Sequence, residues 1–345
     1  MVYMLAKLVK KQQFLLCAFL AALILLPSCN TDSRDGVKVD EIPSVSELKR
    51  FDKDFFAMKP ENIEADLAAL KKKYPEFYPF YQIDIMGWKQ EEEIKNCLLL
   101  LSDTNVLKIQ DTVNQLFGDF SEEMAILDPA FKRFAYHFPE SATPSIILAY
   151  TEFLFRTGTD SAMLVLPLEM YLGENYPVYP NFNIPSYVLR RMNKAHLPTA
   201  AMSAWLDETL EIPIAKNRFL DHMIREGKLL YYLQSVLPET ADSLLTGWTT
   251  DQLSWLKENE FQMWTFYISE NYLYSLDGAY YMPLLSDGPF TAAPNVPPGS
   301  APRIGAYSGW QIVKRYMEEN PELTLQELMF ETDSDKILKE SQYRP

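Results

Sequence analysis

The sequence predicts an α+β protein built mainly of helices, on three observations. Long stretches carry apolar residues at helical spacing, most clearly residues 219–237. Continuous β-branched and aromatic runs occur together only near residues 145–168, enough for one small β unit. The composition, 48% apolar and 13% aromatic, can fill a large core. No internal repeat is present.

Residues 1–28 read as an export signal. Lys7, Lys10 and Lys11 form a basic start, and an apolar run over 14–26 is too short to span a bilayer comfortably. The run ends in Leu26-Pro27-Ser28-Cys29, which resembles a bacterial lipobox: Leu at −3, a small residue at −1 and the Cys fit, while Pro at −2 departs from it. The mature chain is therefore expected to begin at Cys29, carrying palmitate-type acyl chains that hold it to a membrane without spanning it. A tether over 29–43 follows, then a single domain over 44–345, with a helical part (44–143) and a β unit plus helices (144–345). Removing residues 1–28 takes away three lysines and no acid, so the net charge moves from −15 to −18. Nucleic acid is excluded as a natural partner. With Cys17 in the signal and Cys29 lipidated, Cys97 stands alone, so the mature chain has no intrachain disulfide.

Within the domain, Arg50-Phe51-Asp52-Lys53-Asp54-Phe55-Phe56 reads as a short extended segment or helix entry docked by its aromatics. Residues 61–74 place Ile63, Leu67 and Leu70 at turn spacing, and Tyr74-Pro75 stops the helix. Phe77, Tyr78, Phe80 and Tyr81 form an aromatic knot around Pro79 that reads as core packing. Further helices are predicted over 91–102, 106–117 and 121–138. The runs at 145–155 and 162–168, with Gly158 and Asp160 between them, suggest an antiparallel pair, and Pro167 marks the end of the second run or an edge. Helices over 198–210 and 219–237 come next.

The 219–237 helix carries the main candidate. Glu226 falls within an arc made by Phe219, Met223, Leu229, Leu230 and Leu233, and His222 shares it one turn earlier. Asp221, Arg225 and Lys228 lie opposite, where Asp221 and Arg225 suit a solvated (i, i+4) pair. A carboxylate on a core stripe needs a partner. Gly227 weakens the helix by about 1 kcal/mol relative to Ala, and close approach of another backbone is the usual compensation. A helix over 250–274, capped by Thr250 or Asp251, repeats the anomaly at Glu260, which shares a side with Leu253, Leu256, Met263, Trp264 and Tyr267. Arg303 is the candidate cation between the two acids, and Gly305 and Gly309 one turn apart would let its helix approach closely. The expectation is a buried polar network of His222, Glu226, Glu260 and Arg303: acids ionised and paired with Arg303 would have depressed pKa values, whereas an acid buried without a cation would have its pKa raised. The Pro- and Gly-rich stretch 287–302 reads as a packed or functional loop.

These pieces together resemble the gliding-motility lipoprotein GldB family of Bacteroidota over nearly the whole chain. The residues that carry the resemblance are the lipobox, Arg50-Phe51-Asp52, Tyr74-Pro75-Glu76-Phe77, His137-Phe138-Pro139, Tyr171-Leu172-Gly173, Met223-Ile224-Arg225-Glu226-Gly227-Lys228, Asn259-Glu260 with Trp264, and the run from Pro302 to Val313. The resemblance implies an envelope lipoprotein connected with gliding and with the protein-secretion apparatus that gliding needs, so other envelope proteins are the expected partners. It brings no chemistry with it.

A more distant resemblance is to zinc peptidases of the gluzincin type, in which a β unit, a helix and a helix with Glu-Gly follow in this order. That resemblance implies a zincin-like scaffold in which the 198–210 helix would bear His-Glu-x-x-His and Glu226 would be the third ligand. The 198–210 helix has no histidine, and among His137, His196 and His222 no two are at (i, i+4). The expected function is thus a non-enzymatic scaffold or assembly lipoprotein, with no catalytic residue, metal or cofactor. The alternatives are a degenerate or unusual zinc metallopeptidase and a ligand-binding lipoprotein using a Glu226–Glu260 cleft. Cys29→Ala is expected to abolish incorporation of labelled fatty acid and to shift the protein to the aqueous phase in detergent partitioning; unchanged labelling would show that Cys29 is not the lipid site.

Overall fold

Two central strands, apolar on both faces, divide the molecule into two cores. The computed structural model describes residues 37–44, 46–160 and 162–345. In it, β1 (Glu47–Lys49), β2 (Ser145–Ala149), β3 (Gly158–Asp160) and β4 (Met163–Pro167) form one sheet in the order β1-β2-β4-β3. Ile146, Leu148, Leu164 and Leu166 face one core, while Ile147, Ala149, Met163 and Val165 face the other. Burial on both sides is why these strands read as unbroken apolar runs.

The sequence suggested that the two runs pair antiparallel; they pair in parallel, with Ile147 opposite Val165. The chain reverses twice between them. A turn at Thr151–Leu154 holds Glu152 and Phe153 at φ 53° and 62°, and β3 then runs antiparallel along the outer edge of β4 before the chain re-enters as β4 itself. Gly158 and Asp160, expected in the turn, belong to β3. Glu169, just past β4, locks the first turn. Its buried Oε1 accepts from Thr151 N and Thr151 Oγ1, both at 2.7 Å. Burial pushes this carboxyl up to about 7, against the pull of the Thr151 bonds.

The N-terminal core is aromatic. Helix α1 (Phe51–Phe56) buries Phe51, whose ring lies 4.7 Å from Tyr81 and 4.9 Å from Phe77. The predicted knot is therefore packing, tied to the end of β2 by Tyr81 Oη donating to Tyr150 O at 2.9 Å. Around it stand α2 (Ile63–Lys73), which stops at Tyr74, and α3 (Glu93–Ser102); α4 (Thr104–Phe117) and α5 (Ser121–His137) follow. Asp103 caps α4 by accepting from Asn105 N at 2.7 Å.

On the other side of the sheet are α6 (Leu197–Thr209), α7 (Phe219–Val236), α8 (Asp242–Thr246), α9 (Thr250–Glu258), α10 (Glu260–Ser269), α11 (Ile304–Glu319), α12 (Leu325–Phe330) and α13 (Ser334–Glu340). The helix expected over 250–274 is two helices. The side chain of Asn259 donates to Trp255 O at 2.8 Å, competing with the backbone ladder where α9 ends. The cap is Thr249, in a reciprocal box with Gln252.

No two elements pack more extensively than α7 and α11. They cross at glycine on glycine. A Cβ on Gly309 would overlap the Met223 carbonyl, and one on Gly227 would overlap the Gly309 carbonyl and lie 2.8 Å from Trp310 N. A Cβ on Gly305 would lie 2.9 Å from both Phe219 Cε2 and Leu285 Cδ2. The close approach read from Gly227 is thus real, and Gly309 is the residue that receives it.

The polar face assigned to α7 is buried as well. Asp221 and Lys228, expected in solvent, are 3% and 2% exposed, because α12 and α13 cover that side. Asp221 pairs with Arg218 through Nε at 2.9 Å and Nη2 at 3.0 Å, replacing the expected Asp221–Arg225 pair, and Arg218 also reaches Asp335 on α13. Lys228 Nζ donates to Met329 O at 3.4 Å and Glu331 O at 2.5 Å, capping the end of α12. Burial pulls this amine down to about 8. All of these elements lie in one compact unit, Val39–Pro345.

Gly309→Ala is expected to destabilise by at least the upper part of the usual overpacking range of about 1–3 kcal/mol, despite Ala's better helix propensity, because two backbones must part. Gly299→Ala, where nothing lies within 4 Å, is the control and should be near neutral. Equal melting temperatures for both variants would show that the crossing is not tight.

Candidate functional site

The expected four-residue network does not assemble. His222 Nε2 contacts Asn217 Oδ1 at 2.7 Å and its ring packs on Tyr281. Glu226 accepts from Arg225 Nη1 at 3.1 Å, its neighbour in sequence. Glu260, the first residue of α10, accepts from Tyr343 Oη at 2.8 Å. Arg303, at φ 55° before α11, donates to Thr246 O and stacks 4.7 Å over Trp248, whose indole donates to Pro302 O. Only Glu226 and Arg303 are near enough to act on one another, through space and without a hydrogen bond. Helical spacing located the acids but not their partners: Glu226 takes its own neighbour Arg225, Glu260 takes Tyr343 from the C-terminus, and Arg303 goes instead to the end of α8. Cys29 lies outside the described residues.

Of the two cases open for Glu226, the raised pKa is the one that holds. Burial pushes its carboxyl up and Asp207 adds to this, outweighing Arg225 and Arg303. Among the described residues, no three His, Cys, Asp or Glu side chains gather where they would hold a metal ion.

What the tertiary structure does assemble is a two-lobed cleft in front of the Thr246–Trp248 turn. Asn193 organises one wall. Its Oδ1 accepts from Ala195 N and contacts His196 Nδ1, both at 3.1 Å, while its Nδ2 donates to Arg190 O at 2.7 Å. The wall is held to the loop after β4 by Gly173 N donating to Met192 O at 2.9 Å. Gly247, at φ 73°, forms the opposite rim, and the Arg191 stem lies across it, so that a Cβ there would meet Arg191 Cδ at 2.8 Å. Arg191 pairs with Asp287.

The outer lobe, about 790 Å³, is an open groove lined by Glu174, Arg190, Trp248 and Thr249 among others. The inner lobe, about 410 Å³, is walled by Val188, Met192, Ala200, Ala204 and Leu244 and has Asp207 and Arg156 at its margins. Arg191, His196 and Gly247 line both. Burial, with Arg191 and Arg190 adding repulsion, pushes the His196 imidazole down to about 4, so it is neutral at neutral pH. Arg303 stands behind the turn and is electrostatically coupled to Arg191 and to Asp287. The aperiodic stretch between β4 and α6 gave no helical or strand signal; the adjacent pair Arg190-Arg191 in so acidic a chain was the available clue.

The family described as gliding motility protein GldB matches residues 32–345. No curated protein and no solved structure matches the chain.

The raised Glu226 pKa sets a sign. A folded pKa above the ordinary carboxyl value of 4.5 means a contribution to stability that is complete below that value and is lost as pH rises through the folded value. Glu226→Gln should therefore gain stability relative to wild type between acid and neutral pH. The opposite trend in paired thermal melts would mean that Glu226 is held ionised by Arg225 and Arg303.

Proposed function

Because the chain belongs to the GldB gliding-motility family, we propose that it is an envelope lipoprotein, tethered through Cys29, that serves the gliding and secretion apparatus as a non-enzymatic scaffold or assembly component. The observation that carries the scaffold reading is the use made of the Glu-Gly pair on α7. Gly227 is filled by the α11 backbone, and Glu226 is engaged by Arg225 on its own helix. In a peptidase reading that same acid would be the third zinc ligand beside a His-bearing helix, whereas α6 presents Ala200, Ala201 and Ala204 instead. Its partners are other envelope proteins, and the acidic surface makes nucleic acid a poor one.

The test is complementation of a deletion strain together with metal analysis of the purified full chain. Glu226→Gln should restore motility and secretion as wild type does, without stoichiometric zinc in either protein, while Gly309→Ala should fail through low abundance. Stoichiometric zinc in wild type, lost together with function in a folded Glu226→Gln, would overturn the scaffold reading in favour of a metallopeptidase.

A further inference from the structure

We propose that the cleft at Arg190, Arg191 and His196 binds a small amphipathic carboxylate, with the carboxylate at the junction of the two lobes and its hydrocarbon part in the inner lobe against α6. The charge distribution is the first argument. The chain carries a net charge of −15, yet Arg156, Arg190 and Arg191 line this one cleft. Among the described residues neither Arg156 nor Arg190 has an ion-pair partner. An arginine left without a carboxylate on an acidic protein is a free donor fork for a planar anion.

The wall of the inner lobe supplies a second, independent observation. Thr199, in the first turn of α6, is 9% exposed and its Oγ1 has no hydrogen-bond partner. A buried hydroxyl left unsatisfied costs about 1–3 kcal/mol, which a bound acceptor would relieve. It sits at the positive end of a thirteen-residue helix whose N-cap residue, His196, makes no side-chain cap bond.

The shape of the site selects the ligand. Ala200 and Ala204, one turn apart on α6, leave the inner lobe about 410 Å³, within the roughly 300–1,000 Å³ of small-molecule sites, and Val188, Met192 and Leu244 make it apolar. Glu174 and Asp207 on the walls, and Asp287 already on Arg191, balance the three arginines in number, so what the site offers an anion is the unpaired guanidinium of Arg190 rather than a net positive field. One such fork suits a monoanion; a phosphate dianion would face three carboxylates. An acyl carboxylate and the terminal carboxylate of an apolar peptide share this chemistry. The proposal does not rest on the scaffold role.

The experiment is calorimetric titration of the full chain in a non-ionic detergent with octanoate, octylammonium, N-acetyl-leucyl-leucine and the amide of that dipeptide. Octanoate, the dipeptide acid or both should bind, and the stronger of the two identifies the source. Octylammonium and the amide should bind at least tenfold more weakly. Arg190→Gln, whose guanidinium holds no partner in the fold, should keep the wild-type melting temperature and lose affinity about tenfold or more. Ala204→Phe should abolish binding by filling the inner lobe. Absence of heat with both carboxylates, equal affinity for octylammonium, or undiminished affinity in folded Arg190→Gln would each overturn the proposal.

Discussion

The contact of two helix backbones at Gly227 and Gly309 is the constraint on which the C-terminal half depends. Helices packed through side chains stand about 8–10 Å apart; a crossing with no Cβ on either side brings them closer and fixes both axes. Once α11 is fixed, Gly305 takes the Phe219 ring, and Arg303 at the start of α11 is delivered to Thr246 O and the face of Trp248. The turn that Arg303 holds is the rim of the cleft. The Glu226 carboxyl, adjacent in sequence to the crossing, is carried into the field of Arg303 by the same geometry.

Charges inside this fold act as clamps between elements distant in sequence. Arg218 joins the start of α7 to α13 through Asp221 and Asp335. Lys228 closes the carbonyl end of α12, and Glu169 closes the strained turn after β2. Asp221, Lys228 and Glu169 are buried and hydrogen-bonded, the condition under which a buried charge is tolerated. The cleft differs in that Arg156 and Arg190 are left without counter-ions among the described residues. Positive charge that the fold does not consume, beside a largely apolar lobe, is what the proposed carboxylate site draws on.

The sheet serves chiefly as a partition. With β2 and β4 covered on both faces, the aromatic N-terminal core and the larger C-terminal core are separate apolar bodies sharing one wall. The loop after β4 leaves that wall and, through Gly173 and Met192, positions the segment bearing Arg190, Arg191 and His196. The cleft thus depends on both the sheet and the helix crossing, though no residue of the crossing touches it.

What the sequence by itself determined was local. Apolar spacing marked α2, α5, α6 and α7 within a few residues, Tyr74-Pro75 marked a stop, Gly227 marked a close approach, and ordered short motifs marked the family. These are properties of a residue and its near neighbours along the chain. Tertiary structure decided the rest. The parallel pairing of β2 and β4 depended on a double reversal, including two left-handed residues that no turn signal announced. The burial of Asp221 and Lys228 was set by α12 and α13, about a hundred residues away, so a single helix wheel assigned them to solvent. Glu226 and Glu260 were found as anomalies, but their partners, Arg225 and Tyr343, were decided by rotamer and chain path. The cleft was least legible of all, because its walls come from an aperiodic segment, a helix start and a distant turn, and a wall made that way leaves no periodicity in the chain.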